Sequence, residues 1–170
     1  MPAEWKLSLI CPVYKGKGSP YSVNSYRPIS ITCSLSRIFE RYLYSKLSLY
    51  IEPIISPLQY GFKRNSSTLL NLLDTYFLVN SRLDQKLPVD VVYIDLSKAF
   101  DRVSHEILLC KILDIKIPVN FYRIIVNYFT GRSHSVCYKS VISKPASMSS
   151  GVPQGSVLGP MFFNLYIKDF

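Results

Sequence analysis

The chain has 170 residues, 48% of them hydrophobic, and a mean hydropathy of +0.16. That is enough apolar chain for one domain with a real core, and it excludes disorder. Lys and Arg number 20 against 11 Asp and Glu, a formal charge of +9, which implies an anionic partner, nucleic acid first; net charge alone leaves an ordinary soluble basic surface as the alternative.

The excess is uneven. From Lys15 to Arg64 the basic residues are Lys15, Lys17, Arg27, Arg37, Arg41, Lys46, Lys63 and Arg64, against only Glu40 and Glu52. Cys11, Cys33, Cys110 and Cys137 are scattered and are not spaced with His105 and His134 as metal ligands, so reduced, mostly buried thiols are expected and no structural zinc. Met1–Lys6 is polar and does not resemble a signal peptide. Residues 145–167 are uncharged but hold Pro145, Pro153, Pro160, Gly151, Gly155 and Gly159, so no membrane span is expected.

In chain order, Leu7 to Tyr14 reads as a strand that Pro12 marks as an edge or an end. Lys15 to Pro20 is a loop, and Ser25 to Ile31 returns as a second strand, making a basic hairpin with Lys15, Lys17 and Arg27. Such a hairpin can grip a phosphate chain or simply be solvated. Leu35, Ile38, Phe39, Tyr42, Leu43, Leu47, Tyr50 and Ile51 fall at helical spacing and are expected to face a core, with Ser34 as cap and Pro53 as stop. Gln59 to Arg64 is a loop with two cations. Ser67 caps a second helix to about Leu83, with Leu69, Leu70, Leu73, Tyr76 and Phe77 facing inward.

The run Val91-Val92-Tyr93-Ile94 leads straight into Asp95 and suits a strand buried on both faces. A carboxylate at the end of such a strand is costly unless it has a partner, and a metal ion is one. The plain alternative is that Asp95 caps a turn and Asp101 opens the next helix. Helices follow over 104–115 and from Pro118 to Gly131, a strand over 133–142, a strand and turn from Met148 to Gly155, and an apolar helix to about Ile167. There are no internal repeats. The whole reads as one α+β unit, a sheet backed by helices.

The most specific phrase is Ser150-Gly151-Val152-Pro153-Gln154-Gly155-Ser156-Val157-Leu158-Gly159-Pro160, running into Phe162-Phe163-Asn164-Leu165-Tyr166. Together with Tyr26-Arg27-Pro28-Ile29-Ser30, Gln59-Tyr60-Gly61-Phe62 and the Asp95 stretch, in this order, it resembles the reverse transcriptases of non-LTR, LINE-like retrotransposons of the jockey/CR1 type, over essentially the whole chain. The resemblance implies the fingers (about 1–86) and part of the palm (about 87–170) of a right-hand polymerase, with a helical insertion near 104–131. The Asp-Asp hairpin and the thumb are missing.

The implied activity is RNA-directed DNA polymerisation, a nucleotidyl transfer with two Mg²⁺ ions, an RNA template, a DNA primer and a dNTP, in an intracellular protein. Asp95 would be the catalytic metal ligand, helped by the Leu96 carbonyl. Phe100 would be the gate against a ribose 2′-hydroxyl. Lys15, Lys17 and Arg27 would hold the triphosphate, and Gln154 and Gly155 would lie under the incoming nucleotide. Lys63, Arg64, Gly151 and Pro153 would meet template and primer. Tyr60 and Gly159 depart mildly from the family's usual residues. No Asp-Asp pair occurs in the 170 residues. The expectation is therefore a fragment, poorly soluble and inactive alone. The alternatives are a catalytically dead nucleic-acid-binding fragment or a translated relic.

Overall fold

The computed structural model describes residues 1–169. A 3₁₀ turn leads into β1 (Leu7–Tyr14), and loop 15–25 joins it to β2 (Tyr26–Thr32). The expected hairpin is present, with an antiparallel register from Ser8 opposite Thr32 to Tyr14 opposite Tyr26. Pro12 falls opposite Pro28. Neither has an N–H to give, so the two can meet only where the ladder needs no donor.

β1 is an edge only in its second half, where Pro12 lies. Its first half, Leu7 to Ile10, also pairs in parallel with β3 (Ser133–Tyr138), and this second ladder stops before Pro12. The strand expected over 133–142 is really a tight hairpin of β3 and β4 (Val141–Ile142), turning at Lys139 and Ser140. Both turn residues have positive φ, as a two-residue hairpin loop demands, and neither is the Gly or Asn that would have announced it. β5 (Ala146–Ser147) also pairs with β3, giving the order β2-β1-β3-β4 with β5 beside β3.

The helices are α1 (Ser34–Ile51), α2 (Thr68–Asp84), α3 (His105–Asp114), α4 (Val119–Phe129) and α5 (Gly159–Tyr166). The core lies among four of them: Leu43, Leu47 and Ile51 of α1, Leu108 and Ile112 of α3, Ile125 and Tyr128 of α4, and Phe162 and Leu165 of α5. Burying such side chains is worth about 1.5–3 kcal/mol each, so this cluster holds the helical half together. The architecture is the expected sheet backed by helices.

Three local expectations are corrected. The inward face of α1 is Ser36, Glu40, Leu43, Leu47, Ser48 and Ile51, while Leu35, Ile38, Tyr42 and Tyr50 are exposed. The helix is rotated relative to the apolar stripe because two polar groups, Ser36 and Glu40, find partners inside. α2 begins as expected, with the Ser67 hydroxyl accepting from the Leu70 amide, but none of its residues is buried. Cap and propensity suffice to shape it, and no other described element covers its apolar side. Val91 to Ile94 is not a buried strand: the stretch is irregular and exposed, Tyr93 to 91%. An apolar run identifies a wish for burial, and here no neighbouring strand among the described residues supplies it.

No described helix is long and apolar enough to cross a membrane. The segment expected as a strand at 148–155 is an irregular turn with a single bridge, Ser150 to Ser104, and α5 starts at Gly159 rather than Ser156. That turn carries the site.

Candidate functional site

The turn 150–159 is fastened from three sides. From one side, the Gly151 and Val152 amides donate to the Val103 and Phe100 carbonyls at 2.8 and 2.9 Å. Gly151 has φ +84, and a Cβ there would lie 2.9 Å from the Asp101 carbonyl oxygen, so no larger residue fits without a shift. His105 Nε2 lies 2.7 Å from the Gly151 carbonyl oxygen and donates to it. From the sheet side, the Ser30 amide donates to the Gln154 carbonyl at 2.7 Å, and a Cβ on Gly155 (φ +107) would lie 2.8 Å from the Ser30 oxygen. The third side is α1, through Glu40.

Gln154 is thereby held over the hairpin. Its side-chain amide donates to Asp101 Oδ1 at 3.0 Å. Asp101 reaches this place through the turn at Lys98, whose φ of +54 is left-handed and whose carbonyl accepts from the Asp101 and Arg102 amides.

Two hollows of about 330 and 360 Å³ adjoin at this pair, sharing Ile10, Pro28, Asp101 and Gln154 as walls. The first is rich in hydroxyls, among them Ser8, Ser30 and Ser150. The second is cationic, lined by Lys15, Arg27 and Lys98. Three cations beside an amide and an apolar floor make a cleft suited to a polyanion with a flat apolar part.

Of the residues singled out from sequence, Lys15, Arg27 and Gln154 meet in this cleft. Lys15 Nζ also donates to the Asn24 carbonyl at 2.8 Å, which stiffens the loop. Lys17 is exposed on the same loop. Gly151 and Pro153 are buried in the turn, and Gly155 is pressed against β2.

Lys63 Nζ donates to the Ser56 carbonyl, and the Arg64 guanidinium lies 5.7 Å from the Tyr44 ring, so both sit along the outside of α1, away from the cleft walls. Phe100 is packed inward, its ring stacked on Phe163 at 4.7 Å and meeting Phe62 edge-on at 5.9 Å. Asp95 and Leu96 are exposed on the irregular stretch and line neither hollow.

The two Mg²⁺ ions implied by resemblance do not fit the side chains described. Mg²⁺ takes about six oxygen ligands in near-ideal geometry. Among the described residues no three His, Cys, Asp or Glu side chains come together, and one Asp101 oxygen is already used by Gln154.

Four residues were missed in the sequence. Asp101 stands there only as the start of the following helix and Glu40 only as one of two acidic residues in a basic stretch, while Lys98 and Arg132 carry no role; Glu40 and Arg132 are buried, at 0% and 2% exposed. The Arg132 guanidinium lies 4.5 Å from the Tyr128 ring centre and donates to the Tyr128 carbonyl through Nη1. Burial first, and the Glu40 charge second, push the Tyr128 phenol above its ordinary range. The one hint was that Glu40 falls on the same helical stripe as Leu43 and Leu47.

Comparisons with known proteins now bear on this geometry. The family described as "Reverse transcriptase (RNA-dependent DNA polymerase)" matches residues 15–170. The chain is 33% identical, over 99% of its length, to the probable RNA-directed DNA polymerase from transposon BS of Drosophila melanogaster, and 34% identical to that from transposon X-element of the same fly. It is 30% identical to the RNA-directed DNA polymerase from mobile element jockey of Drosophila melanogaster. It spans 19%, 19% and 18% of the length of these three relatives. The resemblance to non-LTR retrotransposon enzymes is borne out, and the chain belongs to the reverse transcriptase (RNA-dependent DNA polymerase) family.

Proposed function

We propose that this chain serves RNA-directed DNA synthesis by a retrotransposon, holding the incoming dNTP against an RNA template and a DNA primer. One observation carries the proposal: Lys15, Arg27 and Lys98 line one end of a cleft at whose centre Gln154 is fixed to Asp101. In this reading the cations take the triphosphate, and bidentate Arg27 gives it direction. Gln154 and Gly155 lie beneath the nucleotide, and Lys17 extends the positive rim of the loop. Gly151 and Pro153 set the path of the primer end, and Lys63 and Arg64 take template phosphates on a separate face.

Asp95 and the Leu96 carbonyl are proposed as contributions to a Mg²⁺ site that residues 1–169 do not complete, so no chemical step is assigned to them here. Phe100 is proposed, from the resemblance alone, as the gate against a ribose 2′-hydroxyl; its ring packs inward and lines neither hollow. Its packing between Phe62 and Phe163 would make it a rigid one. The fingers and palm division near residue 86 follows the same reading, as does action inside the cell.

The test is capture of a photoreactive dNTP by the chain in the presence of an annealed RNA template and DNA primer. Labelling that favours the nucleotide matching the next template base supports the proposal. Labelling indifferent to the template overturns it. The isolation of Asp95 favours a second reading, in which the chain binds RNA without catalysing anything. Retention of RNA with a log–log salt slope of roughly −0.7 per phosphate, and no templated nucleotide capture, would select it.

A further inference from the structure

We propose that Glu40 is a positioning residue that sets the Gln154 turn from inside the core. This rests on the nucleotide-cleft reading above and adds to it a residue outside the cleft. Glu40 sits on the inward face of α1 and is wholly buried. Its Oε2 accepts from the Val157 and Leu158 amides at 2.7 and 3.2 Å, and Tyr128 Oη, 3.3 Å from Oε1, donates to the other oxygen.

These two amides are the last free donors before α5, where a helix leaves N–H groups unpaired and favours negative charge. Ser156 completes the knot: its hydroxyl donates to the Pro153 carbonyl at 2.9 Å and accepts from the Gly159 amide at 3.0 Å. Residues 156–159 are thus pinned to α1. On the other side the Ser30 amide pins the Gln154 carbonyl. Gln154 and Gly155 bridge two fixed points, which leaves the Gln154 side chain one direction, toward Asp101 and the cleft.

A carboxyl group that accepts from all three partners acts by reach as well as by charge. Gln has the same length, and its carbonyl can keep both amides while its NH₂ donates to the Tyr128 oxygen. Asp keeps the charge but draws its oxygens back by one methylene. Positioning therefore ranks Glu40→Gln above Glu40→Asp, whereas a purely electrostatic role ranks them the other way. Ile125→Val, a mild change in the same core, serves as the control for general softening.

The experiment measures amide exchange of residues 150–160 and the Kd of dGTP on the whole chain. Glu40→Asp is expected to speed exchange in this turn and to weaken dGTP binding, each by about tenfold, with Glu40→Gln within about threefold of wild type. Ile125→Val is expected to lower the melting temperature with neither effect. Equal behaviour of the two Glu40 variants, or an Ile125→Val that matches Glu40→Asp, overturns the proposal. If wild type binds no dGTP, the cleft reading fails but the exchange measurement still decides whether Glu40 sets the turn. If Glu40→Asp does not fold, a Glu40→Gln protein with a loosened turn overturns the proposal and one with a wild-type turn upholds it.

Discussion

Gln154 and Asp101 stand 53 residues apart in sequence and 3.0 Å apart in the fold, side-chain amide to carboxyl. This contact joins the Gly-Pro-rich turn to the segment after Asp95, and it decides which way the amide faces. An exposed hydrogen bond to a charged group is worth about 1 kcal/mol or somewhat more. Asp101→Ala is therefore expected to weaken dNTP binding by about three- to tenfold while leaving the thermal transition nearly in place, as read by anisotropy of a fluorescent nucleotide.

Gly151→Ala combines a left-handed backbone with a collision at the Asp101 carbonyl. Strain of that kind costs about 1–3 kcal/mol. The variant is expected to unfold at lower urea concentration with an unchanged slope, because the lesion lies in the native turn and not in the unfolded chain.

The two apolar surfaces should respond in opposite ways. Ile112 is fully buried between helices, so Ile112→Ala should cost about 2–5 kcal/mol in chemical unfolding. Leu72 on α2 is 65% exposed, and Leu72→Ser should change stability by less than about 0.5 kcal/mol while reducing self-association in sedimentation.

Tyr128 gives the pH dependence. Its phenol is held above the ordinary value of 10.0 by burial and by Glu40. A raised value means the folded state keeps the proton that the unfolded state gives up. The stability this group contributes is whole below pH 10 and declines as pH rises above it. Tyr128→Phe leaves one Glu40 oxygen without its donor and should be the less stable protein at pH 7. Between pH 10 and 12 its melting temperature should fall less steeply than that of wild type, and parallel curves would count against this account.

Much of the architecture was legible in the sequence. The β1–β2 hairpin, the Ser67 cap of α2 and the turn at Gly151–Gly155 were announced by local signals: alternation, a serine ahead of an apolar run, and Gly-Val-Pro-Gln-Gly chemistry. The cap expected of Ser34 is not formed, since α1 starts at Ser34 itself and Cys33 precedes it without a side-chain bond. What failed were judgements about partners. Val91 to Ile94 and the leucines of α2 carry patterns of burial, but burial needs a second surface, and periodicity on one segment says nothing about whether one exists. Lys139-Ser140 turned a strand into a hairpin without Gly or Asn. Lys15, Arg27 and Gln154, which line one hollow, were singled out through the family resemblance; the hairpin cations alone read equally well as a solvated surface. Lys98, Asp101 and Glu40 were not singled out, since their roles depend on a left-handed residue and on contacts across more than fifty positions.

The central claim is that the cationic end of the Gln154 cleft holds a nucleoside triphosphate. Calorimetric titration of dGTP into the chain tests it most directly, beside Arg27→Gln and Lys98→Gln. The account predicts one saturable site, weakened about tenfold or more by Arg27→Gln, measurably by Lys98→Gln, and by added salt. No saturable heat in wild type, or an affinity indifferent to both substitutions, would contradict it.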